Sequence, residues 1–177
     1  ESSRTSWSKW AIITEANKSV MHSDKHAYHI MHKANYLHNC RETAEQHGVK
    51  FIEESEMIIS ESTQTFDSRP PRASKNAMLQ HFLGQEVEVD KPVFDPSTAI
   101  LMDFRVDQSK GMHFIYLLPY STTQALVEST LFTTTVLERQ FYVDAINEHL
   151  RDHYGASITN IIHEEQGVIP MGTLSPH

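Results

Sequence analysis

The chain has 177 residues, long enough for one substantial core or two small lobes, and is 39% hydrophobic with two Trp, six Tyr and eight Phe, a globular composition. Its formal charge of −8, from 15 basic and 23 acidic residues, argues against a nucleic-acid partner, whose phosphates ask for a basic patch. No apolar run approaches the roughly 20 residues of a membrane-spanning helix, and the opening ESSRTSWSKW has no apolar centre of the signal-peptide kind.

In chain order, WAIIT (10–14) predicts a short strand and ANYLHNCRETAEQHG (34–48) a helix, with Leu37, Cys40 and Ala44 on one stripe and Gly48 as its stop. The single Cys40 excludes an internal disulfide and reads as a half-buried cysteine. VKFIEE (49–54) and EMIISES (56–62) predict two further strands. FDSRPPRASKNA (66–77) breaks the pattern with two prolines and marks a boundary, dividing the chain into segments 1–68 and 69–177.

Beyond the boundary the hydrophobic period becomes two. QEVEVD, TAILMDFRV, HFIYLLPY and ALVESTLF are β-rich and separated by turns, and together predict one antiparallel sheet. TVLERQFYVDAINEHLRDHYG (135–155) predicts a second helix, with a capping box from Thr135 to Glu138, Tyr142, Ile146, Leu150 and Tyr154 on one stripe, and Gly155 at its end. SITNIIHEE predicts the last strand, leading into QGVIPM. The order of elements is α+β.

One residue in the sheet is out of character. In ALVESTLF, Leu126, Glu128, Thr130 and Phe132 share one face of the strand. Glu128 is either a solvated strand carboxylate or a group held among apolar neighbours, where its ionised form is disfavoured and it can donate a proton near neutral pH. Glu164 and Glu165 are adjacent in an extended segment, so at most one faces any given site. Asp103 and Arg105 sit at i and i+2, as a surface ion pair or a polar pocket wall. HSDKHAYHIMH carries His22, His26, His29 and His32, but no HExxH motif or nearby cysteine accompanies them, and no metal is expected. No GxGxxG, phosphate loop, GxSxG elbow or Cys/His nucleophile pair is present.

FDSRPP, QHFLGQEVEVDKPVFDP, ILMDFRV, FIYLLPY, ALVESTLF and EEQGVIPMG, in that order, resemble the middle portion of lycopene β-cyclases, and SWSKWAIITE and NYLHNCRETAEQHGVKFIE are similar to the same proteins. The resemblance implies a p-hydroxybenzoate hydroxylase-like flavoprotein fold, of which this chain would hold the antiparallel substrate-binding sheet with its covering helix and part of a flavin-binding α/β lobe. It implies redox-neutral closure of the linear ends of lycopene into β-ionone rings, with reduced FAD as cofactor and NAD(P)H as electron source. A cytoplasmic enzyme touching the membrane peripherally follows from the carotenoid substrate. Glu128 and Thr130 match the first and third positions of the family's Glu-acid-Thr motif, which makes Glu128 the proton donor and puts Thr130 in the pocket. Ser129 departs from that motif, since many relatives carry a second Asp or Glu there. Glu165 matches an acid before the family's proline and becomes a second proton-handling or cation-stabilising group. Asp103 and Arg105 match the Met-Asp-aromatic-Arg motif and would shape the pocket. Asp67 stands where related flavoproteins put an Asp-Gly near the cofactor. A carotenoid-binding relative without catalysis and a flavin monooxygenase of the same fold are the alternative readings.

Overall fold

The computed structural model describes residues 3–53, 64, 66 and 77–171. Among these are nine strands and two helices: β1 (Ser3–Trp7), β2 (Lys9–Ile13), β3 (Lys18–His22), β4 (Tyr28–Met31), α1 (Lys33–Gln46), β5 (Met78–Val89), β6 (Thr98–Asp103), β7 (Met112–Pro119), β8 (Gln124–Thr133), α2 (Arg139–Tyr154) and β9 (Ile158–Met171). The chain divides into two compact units, Glu1–Thr5 with His29–Pro70, and Ser6–Tyr28 with Pro71–His177.

The larger unit is built on a seven-stranded sheet of order β3-β2-β6-β7-β8-β5-β9. Its pairings are antiparallel, as the sequence predicts for β5 to β8, except for β2 with β6, which run parallel and make the sheet as a whole mixed. Residues 6–28, assigned from sequence to the first segment, belong with this sheet. The reason is local: Ala11 and Ile13 alternate into its core on β2, which then lies beside β6.

Strand parity divides the sheet into two faces. On β8, Ala125, Val127, Ser129 and Leu131 are all buried, and across the β8–β5 ladder they meet Val87, Gln85, Leu83 and His81. This face is covered by α2, whose stripe of Tyr142, Ala145, Ile146, His149 and Leu150 is buried. Truncating a residue such as Leu131 or Ile146 there would cost about 2–5 kcal/mol. The helix stops where predicted, with Gly155 left-handed at φ 60°. It starts later than predicted, however. Glu138 is the N-cap and makes no side-chain capping bond, so the Thr135–Glu138 capping box does not form. Thr135 is instead held in a turn through Thr133, whose hydroxyl donates to the Thr135 carbonyl at 2.6 Å.

In the smaller unit, α1 forms as predicted and Gly48 follows it at φ 85°, but no residue of the helix is buried. Cys40 is exposed and not half-buried, since α1 buries none of its residues. Residues 49–53 carry no regular structure, so the predicted strand VKFIEE is not formed there, while EMIISES and the proline-rich boundary fall outside the described residues.

Candidate active site

The face of the sheet away from α2 carries Glu128. The β7–β8 hairpin sets Glu128 opposite Tyr116, and the next two ladders set it opposite Gly84 of β5, which in turn faces Glu165 of β9. Directly paired residues project to the same side, so Tyr116, Glu128, Gly84 and Glu165 form one row across four strands. Two ladder spacings separate the two carboxylate positions, about 10 Å between their backbones.

The surroundings of Glu128 are largely aromatic. Phe114, 1% exposed, lies one pleat along β7 from Tyr116, with their ring centroids 5.2 Å apart. Phe104 and Phe132 also pack on Phe114, at 5.5 and 6.2 Å. Burial pushes the Glu128 carboxyl from its ordinary value of 4.5 up to about 7. The hydroxyl of Thr130, itself buried, donates to Glu128 Oε1 at 2.7 Å and holds the value down, while the negative charge of Glu165 raises it. The influence runs outward too. Tyr28 and Tyr116 are shifted upward by burial first, with the Glu128 carboxylate adding to both. Tyr28 in turn stacks obliquely with Trp7 at 6.2 Å. Trp7 is 1% exposed and its Nε1–H has no partner among the described residues.

Glu164 and Glu165 separate as extended backbone requires. Glu164 points to the α2 side, accepting from Gln85 Nε2 at 2.7 Å and from Arg139 at 3.0 and 2.6 Å. Glu165 is left in the Glu128 row.

Asp103 and Arg105 lie elsewhere. Asp103 pairs with Ile115 across β6–β7, and Ile115 is on the α2 face, so strand parity sets the pair on the opposite side of the sheet from Glu128. Asp103 is fully buried and accepts a forked pair of bonds from Arg105, Nε to Oδ1 at 2.9 Å and an amino group to Oδ2 at 2.6 Å. Burial pushes the Asp103 carboxyl up, but the hydrogen bonds from the Arg105 side chain and backbone, with the nearby positive charge, together outweigh it and the net shift is downward. His149 Nε2 approaches Asp103 Oδ2 at 3.5 Å. Desolvation nevertheless drives His149 down to about 4, so this contact joins a neutral imidazole to a carboxylate. The arrangement braces β6 against α2. Asp67 lies outside the described residues.

Sequence reasoning missed Gly84, Tyr116 and Tyr28. Tyr116 was within reach: HFIYLLPYSTTQALVEST folds back symmetrically about Thr122, which places Tyr116 opposite Glu128. Gly84, alone in the interior of a strand, carried the signal of a close approach. Tyr28 carried none, because a short polar strand preceded by bends has no strong period.

The described residues do not fit a dinucleotide cradle. Gly48 and Gly155 close helices, Gly111 lies in the turn before β7, and Gly84 and Gly167 are strand residues, so none opens a helix toward a pyrophosphate. What these residues supply is a face with a poised carboxyl group, aromatic rings and a second carboxylate.

A family described as "Lycopene cyclase protein" matches residues 3–177. A lycopene beta-cyclase from Pantoea ananas is 35% identical over 98 residues, covering 55% of this chain and 25% of that protein. One from Paracoccus is 39% identical over 75 residues, 41% of this chain and 19% of the other, and a chloroplastic neoxanthin synthase from Solanum tuberosum is 33% identical over 101 residues, 50% and 20%. The matched stretches thus span a quarter or less of these relatives. In fold, the chain is similar to a geranylgeranyl bacteriochlorophyll reductase-like protein from Thermoplasma acidophilum, with a TM-score of 0.59 and 10% identity, over 96% of this chain and 51% of that one. The chain belongs to the lycopene cyclase family.

Proposed function

We propose that the protein closes the linear ends of lycopene or a related carotenoid into β-ionone rings, with Glu128 as the proton donor. The observation that carries this is a carboxyl group raised to about 7, set among aromatic rings on a strand of a lycopene cyclase family chain. A group of that acidity is still substantially protonated near neutrality and is matched to general-acid work there.

The steps balance without net redox change. Glu128 gives its proton to the inner, CH carbon of the terminal double bond, leaving a tertiary carbocation on the outer, dimethyl-bearing carbon. The next double bond in reach donates its π electrons to form the six-membered ring, which moves the cation into the ring. Loss of a ring proton to Glu165 restores a double bond. Tyr116 and Phe114 present π faces that favour cationic charge nearby. No step here runs through the reduced FAD, with NAD(P)H as its electron source, that the family resemblance implies, since the described residues do not fit a dinucleotide cradle.

Among the described residues no helix is long and apolar enough to cross a membrane. A peripheral membrane contact is part of this reading because the substrate partitions into lipid. The test is carotenoid analysis of lycopene-accumulating cells expressing the intact protein beside a Glu128→Gln version. β-Ring products that fall by roughly a hundredfold or more with the substitution support the assignment. Persisting lycopene with a folded, flavin-loaded wild-type protein would overturn it.

A further inference from the structure

Between α2 and the turns that follow β2 and β6 lies a cavity of about 420 Å³, on the side of the sheet away from Glu128. Five carboxylates line it: Glu15, Asp107, Asp144, Glu148 and Asp152. The last three recur every fourth residue along α2, so helix period sets them on one stripe. Like charges at that spacing weaken a helix unless something positive lies over them. Arg105 is the one Lys or Arg in the wall among the described residues, and its guanidinium is engaged by Asp103. Glu15 and Glu148 make no hydrogen bond or ion pair with the described residues.

Exposed carboxylates alone hold a cation weakly. The second mark of the cavity is His149, which stands in the same wall and is 2% exposed. Neither of its ring nitrogens has a hydrogen-bond partner among the described residues. Nε2 stands 3.5 Å from Asp103 Oδ2, and the nearby Arg105 carbonyl accepts from His153 Nε2 at 3.0 Å. A neutral imidazole keeps one lone pair, and a buried lone pair without a donor is unfavourable. An N–H group entering from the cavity would supply that donor. Phe141 and His113, with ring centroids 5.5 Å apart, add aromatic surface to the wall.

The spread of the charges decides which cation fits. Among the described residues no three His, Cys, Asp or Glu side chains converge as a metal ion requires. A chain of ammonium groups with methylenes between them meets separated carboxylates where a single ion cannot. We propose that this cavity binds a linear organic polyammonium ion, its ammonium groups on Glu15, Glu148 and the neighbouring carboxylates and one N–H directed to His149. Such a ligand ties α2 to the turns after β2 and β6. It lies on the opposite side of the sheet from Glu128, and the assignment does not depend on the cyclisation chemistry.

The test is titration calorimetry of the intact protein with spermidine, beside the same titration with calcium chloride. Saturable binding of spermidine is expected, weakening with added salt and raising the melting temperature. Glu148→Gln should raise the Kd roughly tenfold. Glu42→Gln, which removes an exposed charge from α1, should leave it unchanged. The His149 imidazole resonances should shift as spermidine saturates. Absence of saturable binding overturns the proposal. So does an equal loss in the two variants, since the net charge of −8 would then be the attraction. Calcium binding that displaces spermidine at equal concentration, or His149 resonances that do not move, would overturn it as well.

Discussion

Thr130 Oγ1 donates a 2.7 Å hydrogen bond to Glu128 Oε1 from two residues along the same strand, and both side chains lie on the face away from α2. The bond favours the ionised carboxylate and works against burial, which favours the neutral acid. Thr130→Val removes the bond while keeping the volume. We expect the Glu128 titration to move to higher pH, carrying the falling limb of the kcat profile with it. A pH–rate profile of the variant measures this, and an unmoved limb would mean that Glu128 is not the group being titrated.

Glu128 also ties stability to pH. Its folded value of about 7 lies above the ordinary 4.5, so between these two the folded state holds more proton than the unfolded chain. Stability from this group is therefore fully present below about 4.5, falls as pH rises to about 7, and is flat above. Glu128→Gln should remove that slope and be more stable than the parent at pH 8 by on the order of 2 kcal/mol. Urea melts of both proteins across this range give the difference directly.

Asp103 is fully buried, and its forked pairing with Arg105 bridges the end of β6 to the region under α2. Asp103→Asn leaves the guanidinium without its anion and should cost about 3 kcal/mol. Because the pair faces α2, the loss should appear in the melting temperature and in protein yield. Turnover per folded molecule should stay close to the parent value, whereas a selective fall in kcat would assign the pair a part in the pocket.

Ser129 accepts or donates a 2.8 Å hydrogen bond with His113 Nε2 and is fully buried on the α2 face. Ser129→Asp, which supplies the second acid that the family resemblance implies at this position, would place a carboxylate beside His113 and not beside Glu128. Combined with Glu128→Gln, it should fail to recover ring formation, and alone it should raise the His113 titration from its present lowered position. Carotenoid profiling and NMR titration of the imidazole check the two halves separately.

Much of this was legible in the residues themselves. The alternation of ALVESTLF fixes which of its side chains travel with Glu128, and adjacency in EEQG guarantees that Glu164 and Glu165 diverge, because extended backbone has a period of two. Gly155 ends α2 because only glycine enters the left-handed region without cost. The ordered series of motifs was enough to suggest the family.

What local pattern does not contain is which strand lies beside which. Asp103 and Glu128 both sit on strands with mixed polarity, and nothing within either segment tells their faces apart. That was decided by the β6–β7–β8 registers and by the side on which α2 packs. The parallel entry of β2 beside β6, and the meeting of Glu128 with Gly84 and Glu165 from segments more than 30 residues away on either side, are likewise products of long-range pairing. The acidity of Glu128 belongs to the same class, since desolvation depends on what the rest of the chain brings around it.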